Sequence, residues 1–169
     1  MNNFRLPISD MVPIISDVVS AGGEFKLVTA GTSMMPLLRD RQDAVFLVKP
    51  SDKLRKFDII LYKRKNGSYV LHRIVDIMYT TDKSCEYALC GDNQVIFEHG
   101  IKNDDVIAVV SKISRNGKMF DLSKSKFYKL YVKFWCANIK RRTFLIKSRQ
   151  RLAAILYKIF KKAKQKTET

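Results

Sequence analysis

A chain of 169 residues with 46% hydrophobic content has enough apolar material for one ordinary domain and is too short for two. Its formal charge of +16 is unevenly placed: residues 1–121 carry 17 Lys/Arg against 15 Asp/Glu, whereas residues 122–169 carry 15 against Glu168 alone. That asymmetry describes a nearly neutral domain, 1–121, followed by a basic extension, 122–169.

Three cysteines, Cys85, Cys90 and Cys136, form an odd set that fits a reducing compartment better than a secreted disulfide scaffold. Cys85 and Cys90 have no second Cys or His pair at ligand spacing, so neither a metal nor a cofactor is expected. Met1 to Ser20 is interrupted by Pro7, Asp10, Pro13 and Asp17 and does not read as a secretory signal. The longest uninterrupted apolar run, Leu152 to Tyr157, is far short of the roughly 18–20 residues that span a bilayer. A cytoplasmic location is expected, with peripheral contact at the inner face of the membrane as an option for the basic extension.

In chain order, Ser9 or Asp10 is expected to cap a helix over about 9–21, with Ile14, Ile15, Val18 and Val19 as its apolar stripe and Gly22-Gly23 as its stop. Strand-like runs follow at Phe25 to Ala30, Ala44 to Val48 and Asp58 to Tyr62. Asn66-Gly67 then joins the third run to Ser68–Met78 as a hairpin. Cys85 to Cys90 follows a polar turn at Thr80 to Ser84, and Asn116-Gly117 separates Val106–Ile113 from Lys118–Asp121. Short strands at this spacing make residues 25–121 mostly β.

Beyond Asp121 the periodicity becomes helical. Lys126, Lys129, Lys133 and Lys140 share one face, while Phe127, Leu130, Tyr131, Phe134 and Trp135 populate another. A second helix is expected from about Thr143 to Lys164, with Leu145, Leu152, Ile155, Leu156, Ile159 and Phe160 on its apolar side.

Three segments carry chemistry. Ser33 lies on a Pro-bounded turn within Gly31-Thr32-Ser33-Met34-Met35-Pro36, His72 follows in Leu71-His72-Arg73-Ile74, and Asp92 in Gly91-Asp92-Asn93-Gln94. A serine hydroxyl is a poor nucleophile at neutral pH and needs a base, itself oriented by a third group. Ser33 would attack a carbonyl, His72 would take its proton, and Asp92 would hold the imidazole tautomer. The Ser33 backbone N–H would be the first donor to the oxyanion. Singly, each residue has a plainer reading: a turn serine, a packed core histidine, a common Gly-Asp-Asn turn.

Together with Phe57-Asp58-Ile59-Ile60-Leu61-Tyr62, these segments resemble, in order, the boxes of the signal peptidase I superfamily, which also contains the self-cleaving LexA and UmuD proteins. The resemblance covers about residues 25–113. It implies a mostly β fold of coiled antiparallel sheets and, because His72 stands where typical bacterial members place Lys, the Ser-His branch of endoplasmic-reticulum and archaeal signal peptidases. Gly31 replaces a Ser that often helps bind the oxyanion, and Thr32 is the alternative second donor. Gln42 and Phe57 stand where Gly is usual. The N-terminal membrane anchor of typical members has no counterpart, and Lys63, Arg64 and Lys65 are expected to be solvated.

The leading expectation is a serine endopeptidase cutting a leader or signal-like peptide by acyl-enzyme chemistry. Alternatives are a self-cleaving regulator cut at Ala21-Gly22 and a non-catalytic docking protein of the same fold. For the extension, Lys126, Lys129, Lys133, Trp135, Lys140, Arg141 and Arg142 would face an anionic membrane. The other reading packs its helices on the domain or pairs them in a homodimer. Nucleic acid is least favoured, since no binding module accompanies the charge.

Overall fold

The two Asn-Gly turns organise the strands by different geometries. Asn116 and Gly117 both have positive φ, 50° and 75°, making a two-residue loop closed by Arg115 opposite Lys118, whereas Gly67 alone does so in a three-residue loop bounded by Arg64 and Ser68. The computed structural model describes residues 6–80 and 84–167, so the turn expected at Thr80–Ser84 lies partly outside the described residues; its ends meet through Thr80 N–H to Ser84 O.

Eight strands form one antiparallel sheet: β1 (Phe25–Val28), β2 (Ala44–Val48), β3 (Ile59–Lys63), β4 (Tyr69–Tyr79), β5 (Cys85–Cys90), β6 (Glu98–Ile101), β7 (Val106–Arg115) and β8 (Lys118–Asp121). Their order is β1-β2-β7-β3-β4-β5-β6, with β8 paired to β7. The mostly β expectation is met, with β6 as an addition: Glu-His-Gly-Ile has no alternation to announce a strand, and it forms because β5 offers a partner, Tyr87 to Ile101 and Leu89 to Glu98.

Alternation along β3 and β4 divides the interior into two clusters. Ile59, Leu61, Tyr69 and Leu71 join Met34, Leu37, Leu38 and the N-terminal helix on one face. Ile60, Tyr62, Val70 and Ile74 join Leu54, Tyr87, Leu89 and Ile101 on the other.

That helix, α1 (Ile8–Ser20), begins after Pro7 with no side-chain cap, so neither Ser9 nor Asp10 plays the expected role. Val12, Ile15 and Val19 are its buried stripe; Ile14, about 100° off that line, faces solvent. Its end is a Schellman motif, with Gly23 N–H on Val18 O and Gly22 N–H on Val19 O.

The basic extension forms α2 (Lys126–Tyr131), a π turn (Val132–Cys136) and α3 (Ile139–Thr167). Ser125 caps α2 by accepting from the Tyr128 N–H. The expected aromatic face divides here: Tyr131 and Trp135 turn inward with Tyr128 and Cys136, while Phe127, Leu130 and Phe134 point outward. On α3 only Arg142 and Ile146 are buried among the described side chains, and Leu145, Leu152, Ile155 and Leu156 are exposed; the side chains of Ile159 and Phe160 lie outside the described residues. No helix among the described residues is long and apolar enough to cross a membrane.

Candidate active site

A groove of about 730 Å³ runs between two strand edges that lack a neighbour. One is the outer edge of β1, which among the described residues pairs only with β2 and runs on through Thr29, bonded to Asp43 and Arg41, to Gly31, bonded to Asp40; the other is the start of β4, Tyr69 to Leu71, which pairs with β3 while β5 joins β4 only from Arg73 onward. Leu61, Met34, Leu38 and α1 residues Ile8 and Met11 make its lining largely apolar, and the half-buried Ser33 is part of that lining. Unpaired backbone on both sides of an apolar trough suits an extended peptide, which can add as a strand and seat alternate side chains below.

Ser33 is held by its backbone. Its carbonyl accepts from the Asn93 N–H at 2.7 Å, and the Asn93 side-chain amide donates to Thr32 O at 3.1 Å. Gly91 permits this approach, because a Cβ there would stand 2.6 Å from Ser33 O and 2.9 Å from Gln94 Oε1. The segments around residues 33 and 92 are therefore one structural unit. Neither the Ser33 hydroxyl nor its N–H is engaged in a hydrogen bond among the described residues, which leaves one free to attack and the other free to receive an oxyanion.

His72 is 1% exposed and faces the second cluster with Val70 and Ile74, the opposite face from Leu71. Its Nδ1 lies 3.2 Å from Glu98 Oε1 and 3.3 Å from the Tyr62 hydroxyl. Glu98 is in turn gripped by Arg64 through Nε at 2.7 Å and through Nη2, so Arg64 is engaged in an ion pair rather than solvated as expected. A carboxylate at Nδ1 holds the proton there and leaves Nε2 as the basic nitrogen. Burial pushes the imidazole below its ordinary pKa against the pull of Glu98, so His72 is neutral at neutral pH. Burial also works against the Glu98 charge, but the Arg64 fork outweighs it and holds the carboxyl below its usual value.

Asp92 takes a different partner from the one expected. Its carboxylate is fully buried and bidentate with Arg73, at 2.8 Å from Nε and 2.6 Å from Nη2, and accepts from the Tyr131 hydroxyl at 2.9 Å. No bond joins it to His72 among the described residues. The reason is the pleat: adjacent residues on β4 point to opposite faces, and Arg73 rather than His72 faces the Asp92 side. Arg73 also donates to Phe57 O and to the Tyr128 hydroxyl. Phe57 has φ 79°, and its carbonyl accepts from both Arg73 and Tyr128. Trp135 Nε1 donates to Asp92 O at 3.0 Å, and Arg149 donates to Asn93 Oδ1. The basic extension thus braces the loop that braces Ser33.

Of the three residues singled out by sequence, the structure joins Ser33 to the Asp92 loop through backbone and leaves His72 on the other face of β4, paired with Glu98. Sequence reading missed Glu98 and Arg73. Arg73 adjoins His72 within a recognised segment, and strand alternation alone would have assigned it a separate environment. Glu98 carries no spacing signal, since only the β5–β6 pairing brings it to His72. Among the described residues no group of His, Cys, Asp and Glu side chains could hold a metal ion, and all three cysteines are free thiols. No protein-family model matches this chain, and no curated protein matches it in sequence.

Proposed function

We propose that this chain is a serine endopeptidase of signal peptidase type, which lays a leader or signal-like peptide as an extended strand in the groove and cuts it at Ser33. The observation that carries the reading is that Ser33 lines a trough flanked by two strand edges open among the described residues, where neither its hydroxyl nor its N–H has a hydrogen-bond partner. The segments around Ser33 and Asp92 that resemble that superfamily meet at this trough, and the eight-stranded antiparallel sheet is compatible with its fold.

In this mechanism the Ser33 hydroxyl attacks the scissile carbonyl, His72 Nε2 accepts its proton and returns it to the leaving amine, and the Ser33 N–H stabilises the oxyanion. Glu98, rather than Asp92, orients the imidazole. Asp92 acts through the backbone of its loop, as the support of Ser33. Because His72 is buried on the face of β4 opposite the groove-lining Leu71, proton transfer from Ser33 requires β4 to rearrange when substrate binds, a larger change than the tightening of a preformed catalytic hydrogen bond.

A second reading, a peptide-binding protein without catalysis, is favoured by one observation: no hydrogen bond links Ser33, His72 and Asp92 side chains among the described residues. Self-cleavage at Ala21-Gly22 has less support, because that dipeptide is folded into the Schellman turn of α1. Mass spectrometry of a leader-peptide library incubated with wild type, Ser33→Ala and His72→Ala separates these readings. Cuts made by wild type and lost in both variants are expected. Peptide retention without cuts would leave the binding protein, and a fragment beginning at Gly22 would leave the self-cleaving regulator.

A further inference from the structure

The inward and outward sides of the basic extension have separate commitments. Tyr128, Tyr131, Trp135 and Cys136 face the Asp92 cluster, so the indole is a structural donor rather than the membrane anchor expected of it. Arg142, also expected at a membrane, is 1% exposed and lies with Asp92 and Cys90. What remains outward is an apolar ridge, Phe127, Leu130 and Phe134, at 64%, 55% and 50% exposure. Lys126, Lys129 and Lys133 stand beside it, all exposed. The Arg141 guanidinium lies over the Phe134 ring, 5.8 Å from its centroid. Beyond Arg149, α3 presents Leu152, Ile155 and Leu156 to solvent, with every described side chain in that stretch exposed.

We propose that this outward ridge is a docking surface for an anionic phospholipid bilayer. An exposed apolar ridge of this size marks an interaction site, and the choice of occupant follows from its surroundings. A second copy would bring one strongly cationic surface against another, since residues 122–169 hold 15 Lys/Arg and one acid. A nucleic acid would use the lysines but leave the ridge of phenylalanine and leucine in water. An anionic bilayer satisfies both: the apolar side chains enter the headgroup–acyl boundary while the ammonium groups stay at the phosphates. The extension packs on the Asp92 loop that supports Ser33, so docking would hold the groove-bearing domain at a bilayer.

The test uses the full chain carrying Ser33→Ala, so that its result does not depend on the catalytic reading. Co-sedimentation is measured with phosphatidylcholine vesicles and with vesicles containing phosphatidylglycerol, alongside two variants, Phe127→Ser/Leu130→Ser/Phe134→Ser and Lys126→Gln/Lys129→Gln/Lys133→Gln. All six positions are exposed, and Trp135 fluorescence verifies that the inward contacts persist. Binding to the anionic vesicles is expected, weakened by salt, reduced roughly a hundredfold by the lysine variant and at least about tenfold by the ridge variant. No binding to anionic vesicles at low salt, or binding indifferent to the ridge variant, would overturn the proposal. So would a dimer in sedimentation velocity that the ridge variant dissolves, or oligonucleotide binding in place of vesicle binding.

Discussion

Replacing Arg73 by Met is the most demanding perturbation of this architecture. The guanidinium makes two bonds to Asp92, one to Phe57 O at 2.9 Å and one to the Tyr128 hydroxyl at 2.7 Å, all out of solvent. Burial works against its charge, but Asp92 outweighs that and holds the Arg73 pKa well above its ordinary value. Without it, the Asp92 carboxylate keeps, among the described residues, the Tyr131 hydroxyl, the weak Cys136 thiol donor at 3.9 Å, and Arg142 Nη1 at 3.9 Å, too long for an N–H hydrogen bond. Removing one member of a buried pair costs about 3–5 kcal/mol because the other charge is stranded. Asp92→Asn strands Arg73 in the same way and belongs in the same range. Against a total stability of about 5–15 kcal/mol, either change is severe, and at about 2–4 °C per kcal/mol it lowers Tm by roughly 6–20 °C. The double variant Arg73→Met/Asp92→Asn removes both members of the bidentate pair and leaves Arg142 as the buried charge at the site, so it should be more stable than the sum of singles by about 2–3 kcal/mol. Urea denaturation followed by circular dichroism gives the energies. Fluorescence of Trp135, the chain's one tryptophan and a donor to Asp92 O, reports whether the extension leaves the loop. A cost below about 1 kcal/mol for Arg73→Met, with no coupling to Asp92, would refute the reasoning.

Arg142 makes the opposite case. Its Nε and Nη1 are buried without hydrogen-bond partners among the described residues, and Asp92 retains Arg73 when it is gone, so Arg142→Met should change stability by less than about 1 kcal/mol or raise it. The same urea titrations measure this. Gly91→Ala should cost about 1–3 kcal/mol through the clash of its Cβ with Ser33 O, and peptide cleavage should fall with it, since the clash moves the serine loop. Glu98→Gln should lower peptidase activity by at least about tenfold, against roughly 10⁴ where an orienting carboxylate is lost and the wrong tautomer is fixed. It should also move the acid limb of the kcat/KM profile to lower pH, because Glu98 raises the His72 pKa; an unmoved limb would remove Glu98 from the site. His72 makes folding pH-dependent as well. With its folded pKa below 6.5, the unfolded chain binds the extra proton first, so its contribution is fully present above that value and is lost as pH falls below it. Tm measured from pH 8 downward should fall more for wild type than for His72→Gln.

The local architecture was legible in the sequence because local rules govern it. Ala44–Val48, Cys85–Cys90 and Lys118–Asp121 are strands with the expected bounds, and the Asn-Gly pairs are turns because their backbone conformations favour those residues. The charge asymmetry at Asp121 marked where β structure gives way to basic helix. The pairing of side chains was not legible. Strand alternation puts neighbours on opposite faces, so Leu71-His72-Arg73 sends three side chains to the groove, to Glu98 and to Asp92 in turn. Which carboxylate each one meets depends on register: β5 beside β4 sets Asp92 against Arg73, and β6 beside β5 carries Glu98 to His72. The same limit applied to the extension. Periodicity identified an aromatic face, but the π turn and the buried Asp92 cluster decided that Tyr128, Tyr131 and Trp135 turn inward while Phe127, Leu130 and Phe134 stay in solvent. Sequence by itself determined most of the strands, turns and helices, since those choices are made within a few residues of backbone, whereas β6 depended on the partner that β5 offers. Tertiary structure alone decided the partners of the charged groups, because a buried charge is held by whatever counter-charge the packed sheet brings within hydrogen-bond reach.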